Sequence, residues 1–302
     1  MGQNNDNTHK NSATIIGFTA VLMWALLALF TDATGNIPPF QLACMTFFIG
    51  TLVGVVWNLG RKKPAAEKPV NLRVALAGGG ALFAYHALYF AALKNAPAVE
   101  ASLIAYLWPL LIVVCSALLP GEKLGWHHII GALAGFGGTI LIVTGGKGFT
   151  IDPDATLGYA LAFAAAFTWT GYSLISRKFA DVPTRSVIAY CAVTTVLALI
   201  AHLIFEKTLM PDNAVEWLAI IGLGLLPVGA AFYTWDFGMK RGDVQVIGAS
   251  SYAAPLLSTI ILIAFGGALF SWSIVLACLL ITFGAMLAAK NIILRGKKPK
   301  HL

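Results

Sequence analysis

Two prolines 146 positions apart lie inside apolar runs, and each can leave a backbone carbonyl open for binding. Pro109 sits in Tyr106-Leu107-Trp108-Pro109-Leu110-Leu111 and Pro255 in Tyr252-Ala253-Ala254-Pro255-Leu256-Leu257. A tyrosine stands three residues before each proline, two leucines follow, and a tryptophan comes seventeen residues later (Trp126, Trp272). Inside a helix, proline has no N–H to give the carbonyl four residues back. The carbonyls of Ala105 and Ser251 then need another partner, and water or a bound ammonium group in a cavity would serve. A static kink satisfied by a side chain or ordered water is the competing explanation.

Rings accompany the prolines. Tyr85, His86 and Tyr89 share one run, at spacings that bring them onto neighbouring parts of one helical face. Tyr106, Trp108, Trp24, Trp169, Ser250, Ser251 and Tyr252 lie near the middle of their own runs. Aromatic belts gather at helix ends, so a mid-helix set reads as a cavity lining. Ordinary helix packing is the alternative for any single member. The expected substrate-binding set is Trp24, Tyr85, His86, Tyr89, Tyr106, Trp108, Pro109, Trp169, Ser251, Tyr252 and Pro255.

Charge narrows the ligand. No Lys or Arg falls in the middle third of any run, which argues against a phosphate-bearing substrate. Aromatic faces favour flat apolar groups and ammonium cations. A zwitterionic aromatic amino acid meets these demands, as does a small aromatic drug. His86, and Glu100 in the first turn of its run, are the candidate groups for proton coupling. Asp236 stands four residues before Lys240 and reads as a local ion pair, whereas His202 has no partner legible in the sequence. Catalysis finds no support, because no paired acids, metal-spaced histidines or nucleophile with a base stand out. His127 and His128 diverge on a helix, and Cys44, Cys115, Cys191 and Cys278 are isolated small hydrophobes. Gly78-Gly79-Gly80 lacks the P-loop pattern and reads as a place for a bend. No metal and no cofactor is expected.

The elements that carry these residues follow from composition. Of 302 residues, 58% are hydrophobic and 11% charged, with mean hydropathy +0.80. Soluble domains carry about 25% charged residues, so this chain belongs in a lipid bilayer. Ten runs reach the length that crosses hydrocarbon: 13–31, 38–59, 74–93, 97–119, 126–145, 157–176, 184–205, 214–237, 244–264 and 271–290. The first run lacks an obvious cleavage site and reads as a retained helix.

With the N-terminus inside, 17 of the 20 Lys and Arg fall on the inner side and only Lys94, Lys147 and Lys207 on the outer. The positive-inside rule thus predicts cytoplasmic N- and C-termini. The net charge of +7 comes from these short loops beside apolar runs, which excludes a nucleic-acid partner. Expected partners are the lipid bilayer and a small-molecule substrate.

The offset that pairs Pro109 with Pro255 also pairs Lys94 with Lys240, and one of 145 pairs Trp24 with Trp169. The chain therefore reads as an all-α membrane protein of ten transmembrane helices in a 5+5 inverted-topology repeat. Its expected parts are a polar N-terminal tail 1–12, repeats 13–145 and 157–290, an outer linker 146–156 and a basic tail 291–302. Gly131 with Gly135, and Gly284 with Ala288, form small-xxx-small faces for close helix approach, within the fold or between protomers.

This arrangement, with Trp24, Trp169, Pro109 and Pro255 in register, resembles the EamA-type transporters of the drug/metabolite transporter superfamily over residues 13–290. Tyr106-Leu107-Trp108-Pro109-Leu110 is similar to its branch of bacterial aromatic amino-acid exporters. The resemblance implies export of aromatic and other neutral amino acids across the inner membrane. Gly121-Glu122 resembles the family's common Gly-Glu turn, but the second copy reads Gly267-Ala268, so Glu122 is given no transport role. Broad drug or metabolite efflux, an intramembrane enzyme and a channel remain alternatives.

Overall fold

The computed structural model describes residues 2–59, 70–148, 152–265 and 271–290. Arg61, Lys62, Lys63, Lys68, Gly267-Ala268 and the basic tail 291–302 lie outside the described residues. No strand occurs among the described residues. The helices are α1 (Gly2–Trp24), α2 (Leu27–Asp32), α3 (Pro39–Asn58), α4 (Leu72–Asn95), α5 (Ala98–Ala105), α6 (Trp108–Cys115) and α7 (Trp126–Val143). They continue with α8 (Thr156–Lys178), α9 (Ser186–Phe205), α10 (Ala214–Leu225), α11 (Ala231–Arg241), α12 (Val244–Ser250), α13 (Ala253–Phe265) and α14 (Trp272–Ala288).

Several starts are capped by side chains. Asn71 accepts from Arg73 N–H, Asn213 from Val215 and Glu216 N–H, and Asp243 from Val246 N–H. All ten runs are helical. Eight stretches among the described residues are long and apolar enough to cross a membrane: Thr8–Asp32, α3, α4, Ala98–Leu118, α7, α9, Ala214–Arg241 and Val244–Phe265. The α14 helix is apolar but has 17 residues, and α8 has 23 residues but is not among the eight.

Four of the eight are interrupted. Ala25-Leu26 separates α1 from α2, Tyr106-Leu107 separates α5 from α6, and Ser251-Tyr252 separates α12 from α13. Between α10 and α11 the chain makes a π-helical turn, Leu226–Ala230, around Pro227. Pro109 and Pro255 both fall in the first turn of the second half-helix. There the missing N–H costs no intrahelical bond, which is why proline starts the new helix rather than bending the old one. The Ser251 carbonyl accepts from Ala254 N–H at 3.0 Å, so a tight turn supplies the partner expected from a cavity.

The long helices pair as α3 with α9, α7 with α14, α4 with α8, and α1 with α11, while α6 meets α12. Glycine permits the tightest of these approaches. A Cβ on Gly131 would lie 2.5 Å from the Gly284 carbonyl oxygen, so the small-residue faces of α7 and α14 meet each other within the fold. Gly78 and Gly79 likewise seat α4 against Tyr190 and Val193 of α9, and α4 runs through them as one helix rather than bending. Replacing Gly131 with leucine is expected to destabilise the protein by about 3 kcal/mol or more through overpacking. Gly137→Ala, whose Cβ would meet nothing within 4 Å, is the neutral control in thermal unfolding.

The ends of the bundle differ. One end carries Lys10, Arg177, Lys178, Lys240 and Arg241, and is called the basic end here. Near the opposite end, Glu206 after α9 caps α3 across the molecule. Its Oε1 accepts from Phe40 N–H at 2.9 Å and its Oε2 from Gln41 N–H at 3.0 Å. His202 Nδ1 donates to the same carboxylate at 2.9 Å, and Nε2 meets Thr208 Oγ1 at 2.8 Å. The Gln41 side chain pairs with both backbone groups of Leu209. This network gives His202 the partner that its sequence position did not reveal.

Candidate functional site

Where the broken rods cross, four tryptophans meet. Trp24 ends α1, Trp108 begins α6, Trp169 lies mid-way along α8 and Trp235 lies on α11. Each ring touches the other three, with centroid separations from 5.0 Å (Trp24–Trp235) to 6.1 Å (Trp24–Trp108). Most pairs are edge-to-face or tilted, the arrangement that ring quadrupoles prefer. Indole N–H groups fix two of them. Trp24 Nε1 donates to the Pro227 carbonyl at 3.0 Å, and Trp235 Nε1 to Ser173 Oγ at 3.1 Å. The π turn matters here, because it presents the carbonyl that orients Trp24.

Above this floor lies a cavity of about 330 Å³. Trp24, Tyr85, His86, Tyr89, Tyr106, Trp108 and Trp169 of the expected set line it. Ser102, Pro227, Phe232 and Ser258 complete its polar and aromatic wall. Every lining residue is uncharged. Tyr85 lies 5.1 Å from His86 and 5.2 Å from Trp169, centroid to centroid, and Phe47 backs His86 at 5.1 Å. Tyr89 Oη and Ser102 Oγ share a hydrogen bond of 3.1 Å. His86 Nδ1 donates to the Leu82 carbonyl at 2.8 Å, so the neutral ring keeps Nε2 as its acceptor.

The remaining expected residues are elsewhere. Tyr252 is fully buried beside Phe136, where its hydroxyl accepts from Leu110 N–H at 3.1 Å. That bond satisfies an amide left over at the start of α6, so the tyrosine serves the break and not the cavity. Ser251 is buried and donates to the Ile247 carbonyl. Pro109 and Pro255 are buried outside the lining, although their neighbours Trp108 and Ala254 belong to it. Glu100 is in the first turn of α5 and does not line the cavity. Asp236 and Lys240 form the expected pair at 2.8 Å, fully buried beneath the tryptophans.

Sequence reasoning missed Trp235 and Phe232. The repeat register would have found both, since it pairs Phe232 with His86 and Trp235 with Tyr89. Pro227 carried a signal as well, a proline inside a long apolar run.

A family model described as the EamA-like transporter family matches residues 11–144 and again 156–290. The chain is 49% identical over 282 residues to the "Aromatic amino acid exporter YddG" of Ancylobacter novellus, spanning 92% of this chain and 97% of that protein. The Salmonella typhimurium protein of the same description is 26% identical, over 83% of this chain and 87% of that one. A solved crystal structure with 48% identity superposes at a TM-score of 0.87, covering 93% of this chain and 98% of the other.

Proposed function

The chain belongs to the EamA-like transporter family, and from that premise we propose that it exports neutral, mainly aromatic, amino acids from the cytoplasm by alternating access. It is a multi-pass membrane protein, and its relatives are described as exporters rather than enzymes. The observation that carries the proposal is the uncharged, ring-walled cavity of about 330 Å³. An aromatic side chain stacks against such walls, and a lining without Lys or Arg disfavours phosphorylated cargo. His86 Nε2 is an acceptor suited to the substrate's ammonium group, with the Tyr89 and Ser102 hydroxyls nearby as further polar partners. Ala105, whose carbonyl Pro109 cannot serve, also borders the cavity.

The proposed architecture is ten transmembrane helices in two inverted repeats, 13–145 and 157–290, joined by the linker 146–156. Pairing of α3 with α9 and α7 with α14, each helix with its repeat counterpart, supports a two-fold relation. Exchange of α1–α11 for α4–α8 under the same operation supports it further. By the distribution of Lys and Arg, the basic end faces the cytoplasm of a bacterial inner membrane, with both termini inside. The cavity residues on α4, α5 and α13 then fall in the outer half, which supports an outward-facing reading of this conformation.

Glu100 does not line the cavity, which disfavours it as a coupling group, and a neutral His86 binds cargo without carrying a proton. Purified protein in liposomes should therefore transport tryptophan down its gradient, and an imposed pH gradient should not change the initial rate. His86→Ala should lower that rate at least about tenfold, the cost of one lost polar contact to a charged group. No tryptophan flux from wild-type protein would reject the export reading. Flux that rises with the proton gradient would favour coupled efflux of drugs or metabolites instead.

A further inference from the structure

Glu122, which the broken repeat left without a role, ties the two halves together below the cavity. Its side chain is 7% exposed. Oε1 accepts from Arg177 at the end of α8, with Nε at 3.0 Å and Nη2 closer still. Oε2 accepts from Gln245 Nε2 of α12 at 3.3 Å, and that amide also donates to Ser116 Oγ at 3.0 Å. Arg177 Nη1 reaches on to the Lys240 carbonyl of α11. One carboxylate from the first half thus gathers the ends of three helices from the second. Lys10 adds a parallel tie to Asp243 at 2.9 Å, and Asp243 N–H donates to Thr14 Oγ1 at 2.8 Å.

The repeat register offers these bonds no matching residue types at the other end. The register that pairs Pro109 with Pro255 pairs Glu122 with Ala268, Gln245 with Val99 and Asp243 with Pro97. The register of Trp24 and Trp169 pairs Arg177 with Asp32 and Lys10 with Ala155. An inverted repeat with equal halves would hold its two gates equally; here the tie at the opposite end, from Glu206 to the Phe40 and Gln41 amides, joins α3 to α9, which carry no cavity residue, whereas the clasp at Glu122 binds α8, which does. We infer that Glu122 is the keystone of a cytoplasmic gate that keeps the empty carrier closed inward and open outward. The inference rests on the alternating-access reading. A conformation that is populated only when the clasp opens lowers apparent affinity for cytoplasmic substrate by that population.

The test reads accessibility rather than transport. Ser116→Cys, made together with Cys115→Ala, reports on the clasp in inside-out membrane vesicles treated with an impermeant maleimide. Ser258→Cys reports on the cavity from the outer side, and labelled peptides are read by mass spectrometry. With the Glu122–Arg177 pair intact, the Ser116→Cys reporter, whose thiol stands in for the hydroxyl that meets Gln245, should resist labelling. Glu122→Gln and Arg177→Ala should each raise its labelling rate at least tenfold and slow labelling at the Ser258→Cys reporter. Gln245→Ala, which removes only the weaker bonds, should raise it less and serves if either variant fails to reach the membrane. Unchanged labelling of both reporters in the folded variants would overturn the proposal. No cargo is needed for these readings, so their failure is distinct from a failure of amino-acid flux.

Discussion

Trp108→Ala should lower tryptophan flux about a hundredfold. Trp108 touches Trp24, Trp169 and Trp235, at centroid distances of 6.1, 6.0 and 5.7 Å, and also lines the cavity. Each of these contacts contributes roughly 1 kcal/mol beyond area burial to holding the wall in place, so about 3 kcal/mol of the site's preorganisation is lost with the indole. At about 1.4 kcal/mol per decade, that is two orders of magnitude. Trp108→Phe keeps a ring and should recover much of the flux. Thermal unfolding of both variants separates a lost cavity wall from a lost fold. A folded Trp108→Ala protein that transports tryptophan at the wild-type rate would remove this cavity from the pathway.

Glu206→Ala is expected to be the most damaging single change to stability away from the cavity. It strands the amides of Phe40 and Gln41 and the Nδ1–H of His202 at a site where the glutamate and histidine side chains are only 6% and 5% exposed. A buried donor without an acceptor costs about 1–3 kcal/mol, so the sum is about 3–6 kcal/mol after partial relaxation. The unfolding midpoint should fall by roughly 10 °C or more. Glu206→Gln retains one acceptor oxygen and should fall about half as far. If Glu206→Ala melts with wild-type protein, this network contributes nothing to holding α3 on α9.

Much of this molecule is legible in its sequence. Helical runs are written in hydropathy, and breaks are written in proline, because both are local properties of the chain. Seven of the eleven expected site residues line the cavity, since rings placed mid-helix in lipid have few places to go. What the sequence leaves unread shares a cause. Tyr252 matches Tyr106 in sequence, yet one hydroxyl caps Leu110 while the other ring lines the cavity. Two copies of a repeat need not adopt one local conformation, and sequence similarity cannot tell them apart. Glu122 has no acidic counterpart in the second copy, and its partners, Arg177 and Gln245, are residues that only the folded chain brings near. His202 and Glu206 are four residues apart, whereas the amides they serve lie on α3, beyond the reach of any sequence window.

The make-up of α8 has a consequence for how the protein is built in the cell. Trp169, Thr170, Tyr172, Ser173 and Ser176 all turn inward, and this is the long helix that falls short of the apolar standard met by its neighbours. A nascent segment with that many polar groups partitions weakly from the insertion machinery into lipid on its own. Its partner α4 has already been synthesised by then and offers the surface on which α8 finally packs. Stable insertion of α8 is therefore expected to need α4 in the same membrane, so a chain lacking α4 should leave α8 accessible to water-borne labels.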